Sequence, residues 1–303
     1  MSPYASPNDH RRYHYLELAN RLRVLLICDP ETDKSAASLA VNTGHFDDPV
    51  DRQGMAHFLE HMLFLGTRTY PKPGEYQQFM SRHGGSNNAW TGTEFTNFFF
   101  DIDNGFFEAG LDRFSQFFIC PTFAPEWVDK ERNAVDSEYR LKLQDDVRRS
   151  YQVHKETVNP AHPFSKFSVG NLDTLADLPG RDLRSDLIAF YETHYSADRM
   201  ALVMLSPASI ETQLGWCDRF FSTIPDRRLG PPALSAPLYR LDDLGIRIQI
   251  APVKETRKLA LTFPLPSVDA LYDKKPLTFL SHLIGYEGEG SLLSLLKARG
   301  WVN

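Results

Sequence analysis

His57, Glu60 and His61 stand in MAHFLEHMLFLGT, residues 55 to 67, a run that is otherwise almost wholly apolar. At helical spacing they fall at i, i+3 and i+4 and share one face. Met55, Phe58, Leu59, Met62, Leu63, Phe64 and Leu65 surround them, so the helix is expected to be buried most of the way round. Two imidazoles and a carboxylate buried without partners would cost several kcal/mol. Something must offset that. Imidazoles one turn apart can each aim a nitrogen at a single cation about 2 Å away. A glutamate directly before the second histidine can face a water at that cation without being a ligand. The pattern H-x-x-E-H is the inverted form of H-E-x-x-H, the inverzincin arrangement, in which the glutamate is the general base. The competing reading is a pair of core histidines bonded to neighbours, with Glu60 neutralising one of them.

A third ligand must come from another element. Glu131 and Glu138 are seven residues apart and so lie on one face of a predicted helix, two turns and roughly 10 Å apart along its axis. One can bind the ion and the other can orient a histidine or the base. Spacing does not say which, and Asp129, Asp136 and Asp145 are equally open candidates.

The elements that must position these groups are legible as changes of period. YHYLELANRLRVLLICD (13–29) reads as a hairpin turning at Asn20-Arg21, and ASLAVNTG (37–44) as a third strand. The helix runs from Gly54 to Leu65, where Gly66 and Thr67 stop it. KPGEYQQFMSRHGG (72–85) is a short helix closed by Gly84 or Gly85. Strands follow in NNAWT and EFTNFFFDID, then an amphipathic helix over 105–119. One long helix is predicted from near Pro125 through Glu156, then an irregular loop over 159–171. A helix at 182–195, a strand at 199–205 and a helix at 209–224 complete this part. The order points to an α+β fold, an antiparallel sheet covered by helices.

DRRLGPPALSAPLYR (226–240) is the one linker candidate, because prolines and glycine cluster there. It divides a complete domain, 1–230, from a second region, 231–303. In that region GIRIQIAPV and KLALTFPL read as strands, and Lys275–Ile284 and Ser291–Lys297 as helices. The roughly 65 residues from 239 onward are too few for a finished domain, so the chain reads as a fragment.

Bulk composition excludes several classes. Hydrophobic residues at 42% and charged residues at 24% describe an ordinary globular chain with a sizeable core. A net charge of −6 offers no footprint for nucleic acid. Cys28, Cys120 and Cys217 are too far apart for a CxxC site and odd in number, so they read as buried free thiols. No apolar run approaches a membrane span. The start, MSPYASPNDHRRYHY, lacks the apolar core of a signal peptide, which fits a cytoplasmic protein or one whose leader has been removed.

Along nearly its whole length, from about residue 12, the chain resembles the pitrilysin / insulin-degrading-enzyme family of zinc metallopeptidases. HFLEHMLFLGT, YPKPGEY, GGSNNAWT, TNFFFDI, GLDRFSQFF, ERNAVDSE, NPAHPFSKFSVGN, FYETHYSADRM and SHLIGYEGEGSLLSLLKARGWVN carry the likeness in that order. The resemblance implies one zinc ion held by His57, His61 and Glu138, with Glu60 as catalytic base and Glu131 as a carboxylate beside the metal site. It implies that Asn88 and Ala89 receive the substrate as an added strand, with Trp90 lining a pocket beside the scissile bond. His282, Gly285 and Tyr286 fall where relatives anchor a peptide N-terminus, although the family's second histidine there is Tyr286 in this chain. The first hairpin also departs from the family's Asn-Gly: at Asn20-Arg21 a positive φ would be strained, which predicts another type of turn. Implied partners are short or unfolded peptides and the C-terminal half of a longer parent. That half is expected to supply donors for the tetrahedral intermediate, so this chain is expected to bind zinc and cleave feebly alone. The rival from another class is a non-catalytic, peptide-binding or scaffolding member, which would typically lack a ligand or the base; all four residues are present.

Overall fold

Strands β1 (Arg12–Glu17) and β2 (Arg23–Cys28) form the predicted hairpin, paired from Arg12↔Cys28 to Glu17↔Arg23. The turn corrects the expectation drawn for it. Arg21 does take a positive φ, 65°, a conformation that favours glycine. Tertiary contacts hold it there. Its guanidinium grips Asp226 through Nε–Oδ2 at 2.9 Å and Nη2–Oδ1 at 2.6 Å, while the Asn20 amide donates to the Phe221 and Ile224 carbonyls. An ion pair far along the chain thus does what glycine's freedom does elsewhere.

The computed structural model describes residues 5–234 and 236–302. After the hairpin come β3 (Lys34–Val41), α1 (Met55–Leu63), α2 (Glu75–Arg82), β4 (Ser86–Thr91), β5 (Thr96–Asp103), α3 (Phe107–Ser115), α4 (Pro125–Lys142), α5 (Asp146–Glu156), α6 (Leu183–His194), β6 (Met200–Ser206) and α7 (Ile210–Phe221). The strands make one sheet in the order β1-β2-β6-β3-β5-β4. The α+β class is as expected, but the sheet is mixed: β2 and β6 are parallel, and all other pairs are antiparallel. Chain path requires this. Strands β2 and β3 run in opposite senses, so a strand inserted between them can be antiparallel to only one.

One face of the sheet buries Val24, Leu26, Leu39, Val41, Phe98, Phe100, Leu202 and Met204, the period-2 set of four strands. Against them pack α1, α3 and α7, with Phe107, Phe114, Phe117 and Phe118 filling the space between. Cys28 and Cys217 are buried free thiols, and Cys120 is half-buried. No helix among the described residues is long and apolar enough to cross a membrane.

Two sequence expectations fail locally. The single long helix is broken after Lys142, because Asp145 turns back as an N-cap and accepts the Val147 and Arg148 N–H groups, both at 2.9 Å. Among the described residues, GIRIQIAPV and KLALTFPL form no strand. An apolar alternation makes a strand only where a neighbour supplies the ladder, and no described segment pairs with either.

The chain divides into two compact units, 1–255 and 256–303. The second carries α8 (Pro276–Ile284) and α9 (Leu292–Ala298), the latter capped by the Ser291 hydroxyl accepting the Ser294 N–H.

The start of α1 is fixed by a close backbone approach. Gly54, the N-cap, has φ 95°, and a Cβ there would lie 2.3 Å from the Cα of Gly170. Buried Asp48 accepts the N–H groups of Gly54 and Ala56 at 2.7 and 2.8 Å, satisfying the first turn. Gly74 also has positive φ, 79°, but a Cβ there meets nothing within 4 Å. Gly54→Ala should therefore destabilise the protein by about 2 kcal/mol or more, and Gly74→Ala by only about 1 kcal/mol. Equal losses for the two variants in urea titration would overturn this account of the approach.

Candidate metal centre

Helix α1 is buried on every side but the predicted stripe. Met55, Phe58, Leu59, Met62 and Leu63 are almost fully covered, while His57 and His61 are half-buried and look into a cleft of about 1000 Å³. Both imidazoles are oriented through Nδ1. His57 Nδ1 donates to the Val169 carbonyl at 2.6 Å, and His61 Nδ1 meets Glu131 Oε1 at 2.6 Å. The Gly54–Gly170 approach explains the first of these, since it brings the 169–170 peptide against the start of α1.

With Nδ1 so engaged, the two Nε2 atoms point at each other, 3.3 Å apart. Glu138 closes the triangle: its Oε2 lies 3.7 Å from His57 Nε2 and 3.6 Å from His61 Nε2. Two bonds of about 2.0–2.2 Å meeting at a tetrahedral angle span about 3.3–3.6 Å from ligand to ligand. The donor set therefore fits a divalent cation in both chemistry and size. His57, His61 and Glu138 are also the metal-capable cluster among the described residues.

The geometry distinguishes the two glutamates of α4. Glu131 and Glu138 address His61 from opposite ends of its ring, one at each nitrogen. The other candidates are engaged elsewhere. Asp129 pairs with Arg132 at 2.9 Å, Asp136 binds Arg140 and the Leu172 N–H, and Asp145 caps α5.

Glu60 is buried, and its Oε2 accepts the Thr91 hydroxyl at 2.5 Å. Oε1 has no hydrogen bond among the described residues. Burial pushes the Glu60 carboxyl upward, against the pull of that hydrogen bond. Glu138 is held well below the ordinary carboxylate range, chiefly by its bond with His61 and then by Lys142. Burial lowers His57, and the neighbouring His61 adds to the effect. For His61 burial acts in the same direction, but the hydrogen bond to Glu131 and the nearby Glu138 carboxylate outweigh it and raise the ring to about 9.

β4 borders the cleft as the last strand of the sheet, and among the described residues it pairs only with β5, so one side of its backbone is open. Asn88, Ala89 and Trp90 all line the cleft. The Ala89 N–H is met by the Asn88 side-chain oxygen at 3.0 Å rather than by a strand. Trp90 is 44% exposed and packs edge-on against Phe95, so it is not a core residue. His282 stands in the last turn of α8 and Gly285 is its C-cap, both in the second unit. Four contributors were not singled out by spacing or residue type: Thr91, the Val169 carbonyl, Lys142 and the Gly54–Gly170 pair. Thr91, Val169 and Gly170 lie within quoted segments of family likeness, but each acts through a fold-dependent contact that no spacing discloses.

The family model described as Insulinase (Peptidase family M16) matches residues 23–161, and that described as Peptidase M16 inactive domain matches residues 182–303. The insulin-degrading enzyme of Homo sapiens is 46% identical over 301 residues, covering 98% of this chain and 30% of its own length. The chain belongs to the M16 insulinase family. A second M16 relative, the A-factor-processing enzyme of Saccharomyces cerevisiae, is 43% identical over 298 residues, 97% of this chain and 29% of its own. The crystal structure of pitrilysin superposes with a TM-score of 0.90 at 32% identity, covering 99% of this chain and 32% of that one. The chain thus spans about 30% of the length of the curated M16 relatives it matches. It carries the likeness of a metalloprotease family.

The raised His61 value gives a pH prediction. Its folded value, about 9, lies above the ordinary 6.5, so in metal-free protein the protonated ring contributes stability that is complete below pH 6.5 and fades as pH rises through about 9. A metal needs that Nε2 bare, so the ion competes with a proton. Zinc binding near pH 7 should release about one proton, and affinity should climb with pH toward 9. Calorimetry in two buffers of different ionisation enthalpy measures the release; no proton released would refute the assignment of His61.

Proposed function

We propose that this chain carries the zinc-binding catalytic module of a metalloendopeptidase acting on short or unfolded peptides, held as a strand added to β4. The observation that carries the reading is the convergence of His57 Nε2, His61 Nε2 and Glu138 Oε2 beside a tethered Glu60 and an open strand edge. In this reading residues 1–230 are the catalytic domain and 231–303 begin a second, homologous one.

His57, His61 and Glu138 would hold the zinc. When bound, zinc supplies Lewis acidity, lowering the pKa of a water and polarising a carbonyl. Glu60 takes the proton of the attacking water on Oε1, while the Thr91 hydroxyl fixes Oε2 and so the plane of the carboxylate. The same carboxyl then returns that proton to the leaving amine. Glu131 holds His61 by Nδ1 and the Val169 carbonyl holds His57, which keeps both Nε2 atoms on target. The Ala89 N–H would exchange the Asn88 side chain for a substrate carbonyl. Trp90 lines the pocket for an adjacent side chain. On the family likeness alone, His282 and Gly285 are assigned to the peptide's N-terminus.

A non-catalytic, peptide-binding member is the second reading; the intact base and its Thr91 tether favour the enzyme. Stabilising the tetrahedral intermediate is assigned to the further length that relatives possess. Two measurements test these assignments. In the full-length protein Glu60→Gln should retain stoichiometric zinc and lose at least about a hundredfold in kcat; retained turnover removes Glu60 as base. The 303-residue chain should bind zinc yet hydrolyse peptides far more slowly than the full-length protein, and equal rates would refute that division of labour.

A further inference from the structure

One wall of the cleft is not used by the chemistry above. Along α5 the cleft is lined by Arg148, Arg149, Tyr151 and Gln152. The cleft's own carboxylates are already engaged: Glu60 with Thr91, Glu131 with His61, Glu138 with the two histidines and Lys142, and Glu156 with the Gln152 amide at 3.1 Å. The two acids that begin α5 are engaged as well. Asp145 caps the helix, and Asp146 accepts the Val253 and Lys254 N–H groups at 2.8 and 3.0 Å.

Arg149 is partly used, with Nη2 3.5 Å from the Ala251 carbonyl and Nε 3.8 Å from Asp146 Oδ1, but its buried Nε makes no hydrogen bond. Arg148 lies on the exposed side of this wall, and its guanidinium has no ion pair or hydrogen bond among the described residues. Two arginines consecutive on α5 therefore line the cleft, and among the described residues no carboxylate answers Arg148.

We infer that Arg148, with Arg149 beside it, binds a carboxylate of the substrate, and that this contact helps select which bond is cut. The inference rests on the peptidase reading above. The shared chemistry is a carboxylate, supplied by an Asp or Glu side chain or by the peptide's own C-terminus. A guanidinium presents a planar fork of donors that matches a carboxylate, and a concave site focuses its field. Strand addition by itself reads no sequence, because backbone hydrogen bonds form equally well after a slip of two residues. A charge fixed on the wall gives the bound strand one favoured register. Arg148 is thereby a specificity-determining residue, outside the proton-transfer chemistry.

The test uses full-length, zinc-loaded protein and short internally quenched peptides. A single Glu is walked along a neutral sequence, each peptide paired with its Gln counterpart, and each is made with a free or amidated C-terminus. At one position Glu should exceed Gln by about tenfold in kcat/KM. Arg148→Gln should abolish that preference, and Arg148→Glu should turn it toward Lys at the same position. A preference for free acid over amide, without a positional one, assigns the C-terminal carboxylate as the source. Anisotropy binding to Glu60→Gln should repeat the pattern without turnover. Peptides that bind and are cut with no acid preference, or with one that Arg148→Glu leaves intact, overturn this inference and leave the peptidase reading standing. Failure of Glu60→Gln to bind any peptide overturns both.

Discussion

The structure depends on burying α1 almost completely while keeping one polar stripe on it usable. Phe58, Leu59, Met62 and Leu63 drive the helix into the core, each side chain contributing about 1.5–3 kcal/mol when fully buried. That placement would be ruinous for His57, Glu60 and His61 without partners, so each receives one by a different route. A backbone carbonyl takes His57, a carboxylate takes His61, and a hydroxyl takes Glu60. For the two histidines the bonded atom is Nδ1, which leaves Nε2 facing the Glu138 carboxylate. The side chains are thus satisfied and aimed by the same contact.

Charge at the centre is balanced by a similar economy. Glu131 and Glu138 sit two turns apart on α4, yet both act on His61 because its ring spans the gap between their carboxylates. In the absence of metal this arrangement draws a proton onto His61, and the Nε2 of His57, whose basicity burial depresses, lies 3.3 Å away as an acceptor. In the proposed reading a proton and a divalent cation would be alternative occupants, and Lys142 pairs with Glu138 beside them.

What the sequence disclosed follows the range of the forces involved. The i, i+3, i+4 stripe, the period-2 strands of the first 230 residues and the capping residues are local, and the structure has them close to where the pattern put them. The α1 helix, for example, starts at Gly54 and ends by Phe64. Long-range contacts were hidden. Arg21 was expected to avoid a positive φ, and only Asp226 and the carbonyls of 221 and 224 show why it need not. The charged run after Lys142 carries helical periodicity throughout, and the break there depends on Asp145 preferring to cap rather than continue. On α4, two glutamates of equal spacing could be separated only when the other helix was placed against them. Family resemblance implied roles in advance but no contacts: Thr91 and the Val169 carbonyl emerge only from the fold.

An open strand edge beside a reactive centre is also a hazard, because the backbone groups that would accept a substrate strand can accept any strand. Several features limit β4 to transient guests. It is only six residues long, and among the described residues the side-chain cover on its Ala89 N–H, the Asn88 oxygen, is a weak and replaceable partner. The cleft it borders is lined with charge on α4 and α5, which disfavours an apolar strand from another chain. Alternate residues of β4 remain half-buried against the cleft wall, so the edge is not a flat template. An incoming segment must be free of its own partners to displace Asn88, which is why the reading points to unfolded or short peptides rather than to loops of folded proteins. Selection by foldedness and selection by charge would then act at the same edge, the first through the backbone and the second through the side chains that lean toward α5.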